Sequence, residues 1–380
     1  MLFRSVQRTW YAPDGTSVMW YDGCSKILTE KGRREAASLR MGFHEFYGTV
    51  EVKRVEIHKP DGRTVPVDVA ALSRVTVASD QMAANIYDPK YKMLSVGIPN
   101  LETGDLLRVV IRDTQFRVRI PDQWADYTTF ENRSPILRSV YEVHAPAARP
   151  LRHRVLKSEV PGTMAYTNEV RDGVTVHRWT ARNVPQMFPE PDMPDPRTVT
   201  QRLLLSTSED WASISKWYWE ICLPHMQKTT PAMKAAVADL TKDCRDDRAR
   251  IEALFAFVSQ KIRYMGITTE TEAPGYEPHD VNITFENRHG VCRDKAALLA
   301  AMFRLAGIDG FPVIIHVGSK RDEEVPLPYF NHAITAARLK DGTLILMDPT
   351  DEATRELLPA YLGKDRKSTR LNSSHVSQSR

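Results

Sequence analysis

Three residues in the last third of the sequence, Cys292, His332 and Asp348, are of the types that thiol-dependent acyl transfer needs. A cysteine thiolate attacks the carbonyl carbon, a histidine takes and returns the proton, and a carboxylate holds the histidine in the right tautomer and orientation. Taken singly, each residue has a more common structural explanation: a small buried cysteine, a hydrogen-bonded histidine at a strand end, and a turn-forming aspartate before Pro349. The chemistry therefore depends on whether the surrounding elements bring all three together.

The segment HGVCRDKAALLAAMF places Cys292 where a glycine-containing loop enters a helix, which is predicted over about residues 293–305. The first turn of a helix exposes unpaired N–H groups and a partial positive charge, which favours a thiolate. The cationic side chains of Arg293 and Lys295 are expected to add to that bias. Gly290, in the loop, is expected to let the backbone approach a substrate closely.

Two strands are predicted further along the chain, at 332–339 and 343–350, joined by a three-residue loop that ends in Gly342. If the residues that flank this loop pair with each other, His332 and Asp348 point to the same side of the hairpin as diagonal neighbours. Diagonal positions are about 7–8 Å apart at the backbone, within reach of a histidine–carboxylate hydrogen bond. An additional bulge would shift the parity and separate the two side chains.

The hydrophobic pattern changes along the chain. Up to about Val184, apolar and polar residues alternate between frequent turn signals, which is typical of a sandwich-like all-β domain. Five prolines within PQMFPEPDMPDP then indicate a stiff connector. Helical periodicity followed by strands indicates an α+β arrangement. We therefore expect a multidomain chain in four parts: a β-sandwich-like domain at 1–184, a Pro-rich connector with a short helix at 185–231, an α+β core at 232–363, and a tail at 364–380.

Composition excludes several classes of protein. The chain has 380 residues, of which 42% are hydrophobic and 26% charged, as in an ordinary globular protein. Residues 364–380 account for the whole formal net charge of +4, so no basic face for a nucleic acid is expected. The four cysteines form no CxxC pair, which argues against a structural zinc site. No apolar run of about 18 residues predicts a membrane span, and no signal peptide is visible.

The tail KDRKSTRLNSSHVSQSR stops the apolar patterning abruptly and resembles translated sequencing-adapter reads. We interpret it as non-native, with a natural disordered terminus as the alternative. On this interpretation, the native protein continues past about Gly363, and the core is truncated at its C-terminal end.

The motifs GVCRDKAALLAAMFRLAGI, YFNHAI and LMDPT together resemble the core of the transglutaminase-like superfamily, which has a papain-like cysteine protease fold. The strand-rich first half, with KILTEKGRREAASL, HKPDGRTVPV and LETGDLLRVVIR, is similar to the DUF3857 type of β domain that precedes such cores in bacterial proteins. Together the two resemblances span nearly all of residues 1–363. One departure is Val291, since many relatives have an acidic residue directly before the cysteine.

The resemblance implies a role for each matching residue. Cys292 is carried over as the nucleophile, His332 as the general base and Asp348 as the orienting carboxylate. Oxyanion support in the superfamily combines the N–H of the cysteine with an upstream aromatic residue, for which Tyr264 is the candidate. Asn331 is an alternative residue for orienting the histidine.

We expect an enzyme that acts on amide bonds of a protein or peptide through a cysteine thioester, by hydrolysis or transamidation. The alternative is an inactive binding or assembly module that keeps the same scaffold. A zinc-dependent hydrolase using His279, His289 and His316 ranks last, since their spacing matches no familiar metal site. No cofactor or metal is predicted, and the sequence does not decide the oligomeric state. Relatives of this architecture are usually exported in bacteria, so the resemblance implies a periplasmic or extracellular protein whose signal segment is missing, with a cytoplasmic protein as the alternative.

Overall fold

A computed structural model describes residues 2–156, 164–191, 193, 199–267, 275–317, 325–354 and 356–359. The chain divides into two compact units. The β unit comprises Met1–Ala78 and Pro89–Ser208, and the α+β unit comprises Ser79–Asp88 and Glu209–Arg380. This division differs from the predicted boundaries, because a strand that follows the Pro-rich stretch belongs to the β unit and a short N-terminal segment belongs to the α+β unit. The predicted tail, 364–380, lies outside the described residues.

The strands are numbered in chain order. They are β1 Leu2–Tyr11, β2 Ser17–Lys26, β3 Ser38–His44, β4 Gly48–His58, β5 Thr64–Pro66, β6 Ser73–Val77, β7 Ile86–Tyr87, β8 Tyr91–Gly97, β9 Leu106–Gln115, β10 Ala125–Thr129, β11 Ile136–Pro146, β12 Arg152–Leu156, β13 Met164–Arg171, β14 Val174–Val184, β15 Arg202–Ser206, β16 Arg263–Tyr264, β17 Gly266–Ile267, β18 His289–Gly290, β19 Asp309–Ile315, β20 His332–Arg338 and β21 Leu344–Met347.

The helices are also numbered in chain order. They are α1 Glu30–Ala36, α2 Val69–Leu72, α3 Trp211–Met226, α4 Pro231–Thr241, α5 Asp247–Lys261, α6 Val281–Asn287 and α7 Cys292–Leu305, with a 3-10 turn at Asp80–Ala84. The predicted helix after Asp210 is present as α3, and the Asp210 carboxylate caps it by accepting from the N–H of Ser213.

The β unit is built almost entirely of strands, as predicted. Its largest sheet has eight strands in the order β13-β14-β11-β1-β2-β9-β4-β5. Neighbours in this sheet are antiparallel except β1 and β11, which run parallel. Tight turns close the hairpins, for example at Gly15, whose φ of 86° is the left-handed conformation that glycine adopts without strain.

One face of the eight-stranded sheet carries both hydrophobic clusters of the β unit. Strand pairing places alternate residues of each strand on this face, including Tyr141 of β11 and Val109 of β9. The three-stranded sheet β10-β15-β12 covers one part through residues such as Leu203, and the sheet β3-β8-β6 covers another through residues such as Val96. Two layers of strands around a shared interior form the sandwich-like arrangement that the turn spacing predicts.

Helix α7 forms the centre of the α+β unit. Its residues 294–303 are all buried, between helices α4–α6 and the antiparallel sheet β19-β20-β21. The hydroxyl of Thr335 on β20 donates to the carbonyl of Ala296 at 3.1 Å, which ties the sheet to the helix. The predicted order, a helix followed by an antiparallel sheet, is confirmed.

The register of the last hairpin is also as predicted. The residues that flank the loop are joined by a hydrogen bond from Leu339 to Thr343, and Thr335 pairs with Met347 further along. Strand β21 ends at Met347, one residue before Asp348. Because the pairing contains no bulge, the side-chain parity expected for His332 and Asp348 is preserved.

Candidate active site

Cys292 is the first residue of helix α7. Val291 precedes it as the N-cap residue, and the carbonyl of Val291 accepts from the N–H of Lys295 at 3.0 Å, which closes the first turn. The thiol therefore lies at the positive end of a 14-residue helix. This is the position that the loop-to-helix pattern predicts.

A buried aspartate in the first turn of the helix holds the backbone that precedes the cysteine. One carboxylate oxygen of Asp294 accepts from the Val291 N–H at 2.9 Å, and the other accepts from the backbone N–H and the ring Nδ1 of His279 at 2.9 and 3.0 Å. The sequence reasoning missed Asp294, although an acidic residue three positions after a helix N-cap is a known capping signal. Its side chain is 2% exposed, so these hydrogen bonds are shielded from water and stabilise the backbone directly before Cys292.

Gly290 also has a packing role. A Cβ atom at this position would lie 2.7 Å from the Cβ of Asp294 and 3.1 Å from the Cγ2 of Thr284. The glycine is therefore required for packing of the loop against helices α6 and α7, and not only for access of a substrate.

His332 and Asp348 meet as the hairpin register requires. The Nε2 of His332 lies 2.8 Å from the Oδ2 of Asp348, which is completely buried. The other carboxylate oxygen accepts from the N–H and the hydroxyl of Thr350 at 3.0 and 2.7 Å. A carboxylate held by these bonds keeps a fixed orientation, so it can set the tautomer and ring plane of His332.

The thiol of Cys292 hydrogen-bonds to the side chain of His332, and its sulfur also accepts from the backbone N–H of Ala333. Burial raises the pKa of Cys292, but the hydrogen bond and the charge of His332 outweigh it, so that pKa lies below its usual range. Burial lowers the pKa of His332, whereas Asp348 and Cys292 raise it, to about 10. These opposite shifts favour the charged forms of the two groups, a thiolate on Cys292 and an imidazolium on His332.

Tyr264 lies beside the cysteine because strand β16 pairs in parallel with strand β18 of the cysteine loop, Tyr264 opposite Gly290. The Tyr264 hydroxyl hydrogen-bonds to both the sulfur and the backbone of Cys292. Burial is the main cause that raises the pKa of Tyr264, which keeps the phenol protonated. The phenol of Tyr264 therefore lies next to both the sulfur and the backbone N–H of Cys292.

Two of the three other predicted contributors are placed differently. Both amide atoms of Asn331 bond to the backbone of Val317, at 2.7 and 2.9 Å, and the orienting contact to His332 comes from Asp348. The ammonium of Lys295 is buried and donates to carbonyls at the end of helix α5, so it does not lie beside the sulfur. Arg293 does contribute to lowering the pKa of Cys292.

A cavity of about 700 Å³ opens beside these residues, with more apolar than polar surface on its walls. Its lining residues include Cys292, His332, Tyr264, Ile86, Met265 and Ile283. A cavity of this size accommodates a peptide segment or a small molecule at the sulfur.

Two of the three histidines considered as metal ligands bond to protein atoms, His279 to Asp294 and His316 to the carbonyl of Tyr329. Across the part of the chain that the structure describes, no group of three or more His, Cys, Asp or Glu residues could hold a metal ion. Over the same residues, no helix is both long and apolar enough to cross a bilayer.

Comparison with protein families gives two matches in chain order. Residues 13–188 match the model of a domain of unknown function, DUF3857, and residues 234–349 match the transglutaminase-like superfamily. The chain combines a DUF3857 domain with a transglutaminase-like domain. The transglutaminase-like match includes Cys292, His332 and Asp348, and it supports a general thiol-dependent function on amides. No protein of curated function matches the sequence.

One solved structure among those compared shares this fold. A candidate protease from Parabacteroides distasonis ATCC 8503 superposes with a TM-score of 0.74 at 16% identity, over 94% of this chain and 68% of that one. At this identity the similarity shows the fold alone. A candidate cysteine protease from Cytophaga hutchinsonii gives a TM-score of 0.27 at 13% identity, over 84% and 80% of the two chains. The periplasmic domain of TgpA from Pseudomonas aeruginosa gives 0.26 at 15% identity, over 88% and 97%. At these scores neither supports a conclusion about this chain.

Proposed function

We propose that this protein is a cysteine acyltransferase or peptidase that attacks an amide carbonyl with Cys292. The observation that carries the proposal is the continuous chain of contacts from the Cys292 thiol through His332 to the buried carboxylate of Asp348. The sequence predicts the same three residues from their chemistry, and the hairpin register predicts that His332 and Asp348 lie on one side of the hairpin. The transglutaminase-like match adds independent support.

The reaction begins with a thiolate–imidazolium pair. The sulfur of Cys292 bonds to the amide carbon, and the carbonyl π electrons move to oxygen, where the Cys292 N–H and the Tyr264 hydroxyl receive the negative charge. When the intermediate collapses, the C–N bond breaks and the His332 imidazolium gives its proton to the leaving nitrogen. The products of this half-reaction are an amine and a thioester on Cys292.

The second half-reaction reverses these roles. Neutral His332 removes a proton from water or from an incoming amine, whose oxygen or nitrogen attacks the thioester carbon. The carbon–sulfur bond then breaks and restores the thiolate, with the proton held on His332. Water gives hydrolysis and an amine gives transamidation, so the acyl acceptor decides the product while Asp348 supports the histidine in both steps.

A glutamine-containing peptide library, offered with and without a primary amine and read by mass spectrometry, tests the proposal. We expect cleaved, deamidated or amine-linked products from the native protein and none from Cys292→Ala. Cys244→Ala is the matched control, because Cys244 lies in the same unit and hydrogen-bonds only to the carbonyl of Leu240 among the contacts described for it. Unchanged turnover in Cys292→Ala would refute the proposal and favour the inactive binding module.

A further inference from the structure

A short segment from the N-terminal part of the sequence, Ser79–Asp88, belongs to the α+β unit. The side-chain amide of Gln81 closes it into a compact loop by donating to the carbonyl of Asp88 and accepting from the Asp88 N–H, at 2.9 and 3.0 Å. This sequence lies within the span of the DUF3857 match and outside the span of the transglutaminase-like match. Its position is therefore not implied by either family resemblance.

The loop is joined to the cleft by backbone pairing. Its strand β7 pairs in parallel with β17, Ile86 opposite Gly266, and the carbonyl of Asn85 accepts from the Gly266 N–H at 3.0 Å. A Cβ built on Gly266 would lie 2.6 Å from the Cγ1 of Val291 and 3.8 Å from the Cγ2 of Ile86. The absence of that side chain lets Val291, which directly precedes Cys292, pack against Gly266, and Ile86 lies at ordinary contact distance from the same position.

The wall around Ile86 is apolar. Ile86, Met265 and Ile283 all line the cavity that contains Cys292, and Ile283 is 45% exposed there. Two charged residues, Asp88 and Arg293, also line this cavity, and the Arg293 guanidinium donates to the carbonyl of Gly275 at 2.7 Å. Covering partly exposed isoleucines with an apolar group removes their surface from water, which makes binding of that group favourable.

We propose that Ser79–Asp88 is a specificity-determining wall of the Cys292 cleft, where Ile86 with Met265 and Ile283 receives an apolar side chain of the acyl donor. This inference rests on the proposed function and adds the class of substrate. It favours a peptide in which a leucine-like side chain lies at or directly before the attacked carbonyl, over a donor recognised through the polar amide of glutamine.

Peptidyl aminomethylcoumarin amides test the inference when the last residue and the one before it are varied, one at a time, among Leu, Gln and Lys. We expect the native protein to prefer Leu at one of these positions by about 10-fold or more in kcat/KM. Ile86→Asp should remove most of that preference, whereas Tyr87→Asp, at the 42% exposed neighbour on the same strand, should keep it. Alkylation of Cys292 by iodoacetamide, which has no peptide side chain, should be equal in the native protein and Tyr87→Asp.

Each outcome decides one of the two proposals. Turnover without a preference for Leu, or the same preference in Ile86→Asp, overturns the specificity wall and leaves the acyl-transfer proposal intact. Equal losses in Ile86→Asp and Tyr87→Asp also overturn it, because they indicate a general disturbance of the strand. If no amide is turned over and Cys292 alkylates like an ordinary thiol, the proposed function fails and the specificity wall fails with it.

Discussion

Replacing Asp348 with Asn tests whether the Asp348 carboxylate, through His332, favours the thiolate form of Cys292. The substitution keeps the size of the side chain and removes its negative charge from a position that is completely buried. After burial, which acts in the opposite direction, the hydrogen bond from His332 to Asp348 is the largest cause of the raised pKa of His332. The pKa of Cys292 is lowered chiefly by His332 against the effect of its own burial, so Asp348 acts on the thiol through the histidine.

The expected magnitude follows from these shifts. His332 has a pKa of about 10 in place of an ordinary 6.5, and each pKa unit corresponds to about 1.4 kcal/mol of preference for the charged form. Removing the carboxylate charge should therefore raise the pKa of Cys292 and reduce the thiolate population at pH values below it. The corresponding carboxylate-to-amide change in a Ser–His–Asp triad lowers kcat about 10⁴-fold, and we expect a loss on the order of 10³-fold here.

The assay is the rate of iodoacetamide alkylation of Cys292 between pH 4 and 10, followed by peptide mass mapping. Cys222 does not interfere, since burial raises its pKa to about 12. Thr350→Val is the matched control, because it removes a 2.7 Å hydrogen bond to Asp348 while leaving the carboxylate charge in place. If the profiles of Asp348→Asn and the native protein superimpose, the reasoning about the charged pair is wrong.

Three further predictions concern other residues. Tyr264→Phe should lower kcat by about 10–1000-fold, because it removes the hydroxyl that is proposed to stabilise the oxyanion. Gly266→Ala should lower the free energy of unfolding by about 1–3 kcal/mol, measured in urea, since its Cβ would lie 2.6 Å from Val291. Burial and the nearby charge of His153 lower the pKa of His177 to about 4. Because the unfolded chain therefore takes up a proton first, the free energy of unfolding falls as the pH drops from about 6.5 toward 4. His177→Phe should make that decrease smaller in urea titrations.

For each of these three predictions, one result would contradict the expected effect. Unchanged kcat in Tyr264→Phe would remove the phenol from the oxyanion site. Gly97→Ala is the control for the glycine, since no atom lies within 4 Å of its Cβ position, and equal effects at both glycines would refute the steric argument. An unchanged pH dependence in His177→Phe would show that another group titrates in this range.

The parts of the site that the sequence predicted depend on short-range rules. A hairpin with a three-residue loop has one favoured register, so the parity of His332 and Asp348 followed from counting residues away from the loop. The start of helix α7 was equally visible, because a loop containing glycine preceded an apolar stripe. At the hairpin and at the start of the helix, local geometry alone was enough to predict the structure.

The parts that the sequence did not predict depend on pairing between strands that lie far apart in the chain. Strands β7 and β17 have two residues each, too few for any periodic pattern, and they lie about half the chain apart. Strand β15 follows the Pro-rich stretch that was taken as the boundary, yet it pairs with β10 and β12 and completes a sheet of the β unit. Only the tertiary structure specifies such partners, so the cleft wall at Ile86 had no signal in the sequence.

The thioester on Cys292 is the intermediate on which the whole account depends, and trapping it is the most direct test. The native protein would be mixed with a peptide amide that it turns over, quenched in acid within milliseconds to seconds, and analysed by intact mass and peptide mapping. We predict a mass increase equal to the acyl group, located on Cys292 and released by hydroxylamine at neutral pH. Turnover with no adduct on Cys292, or with the adduct on another residue, would contradict the account.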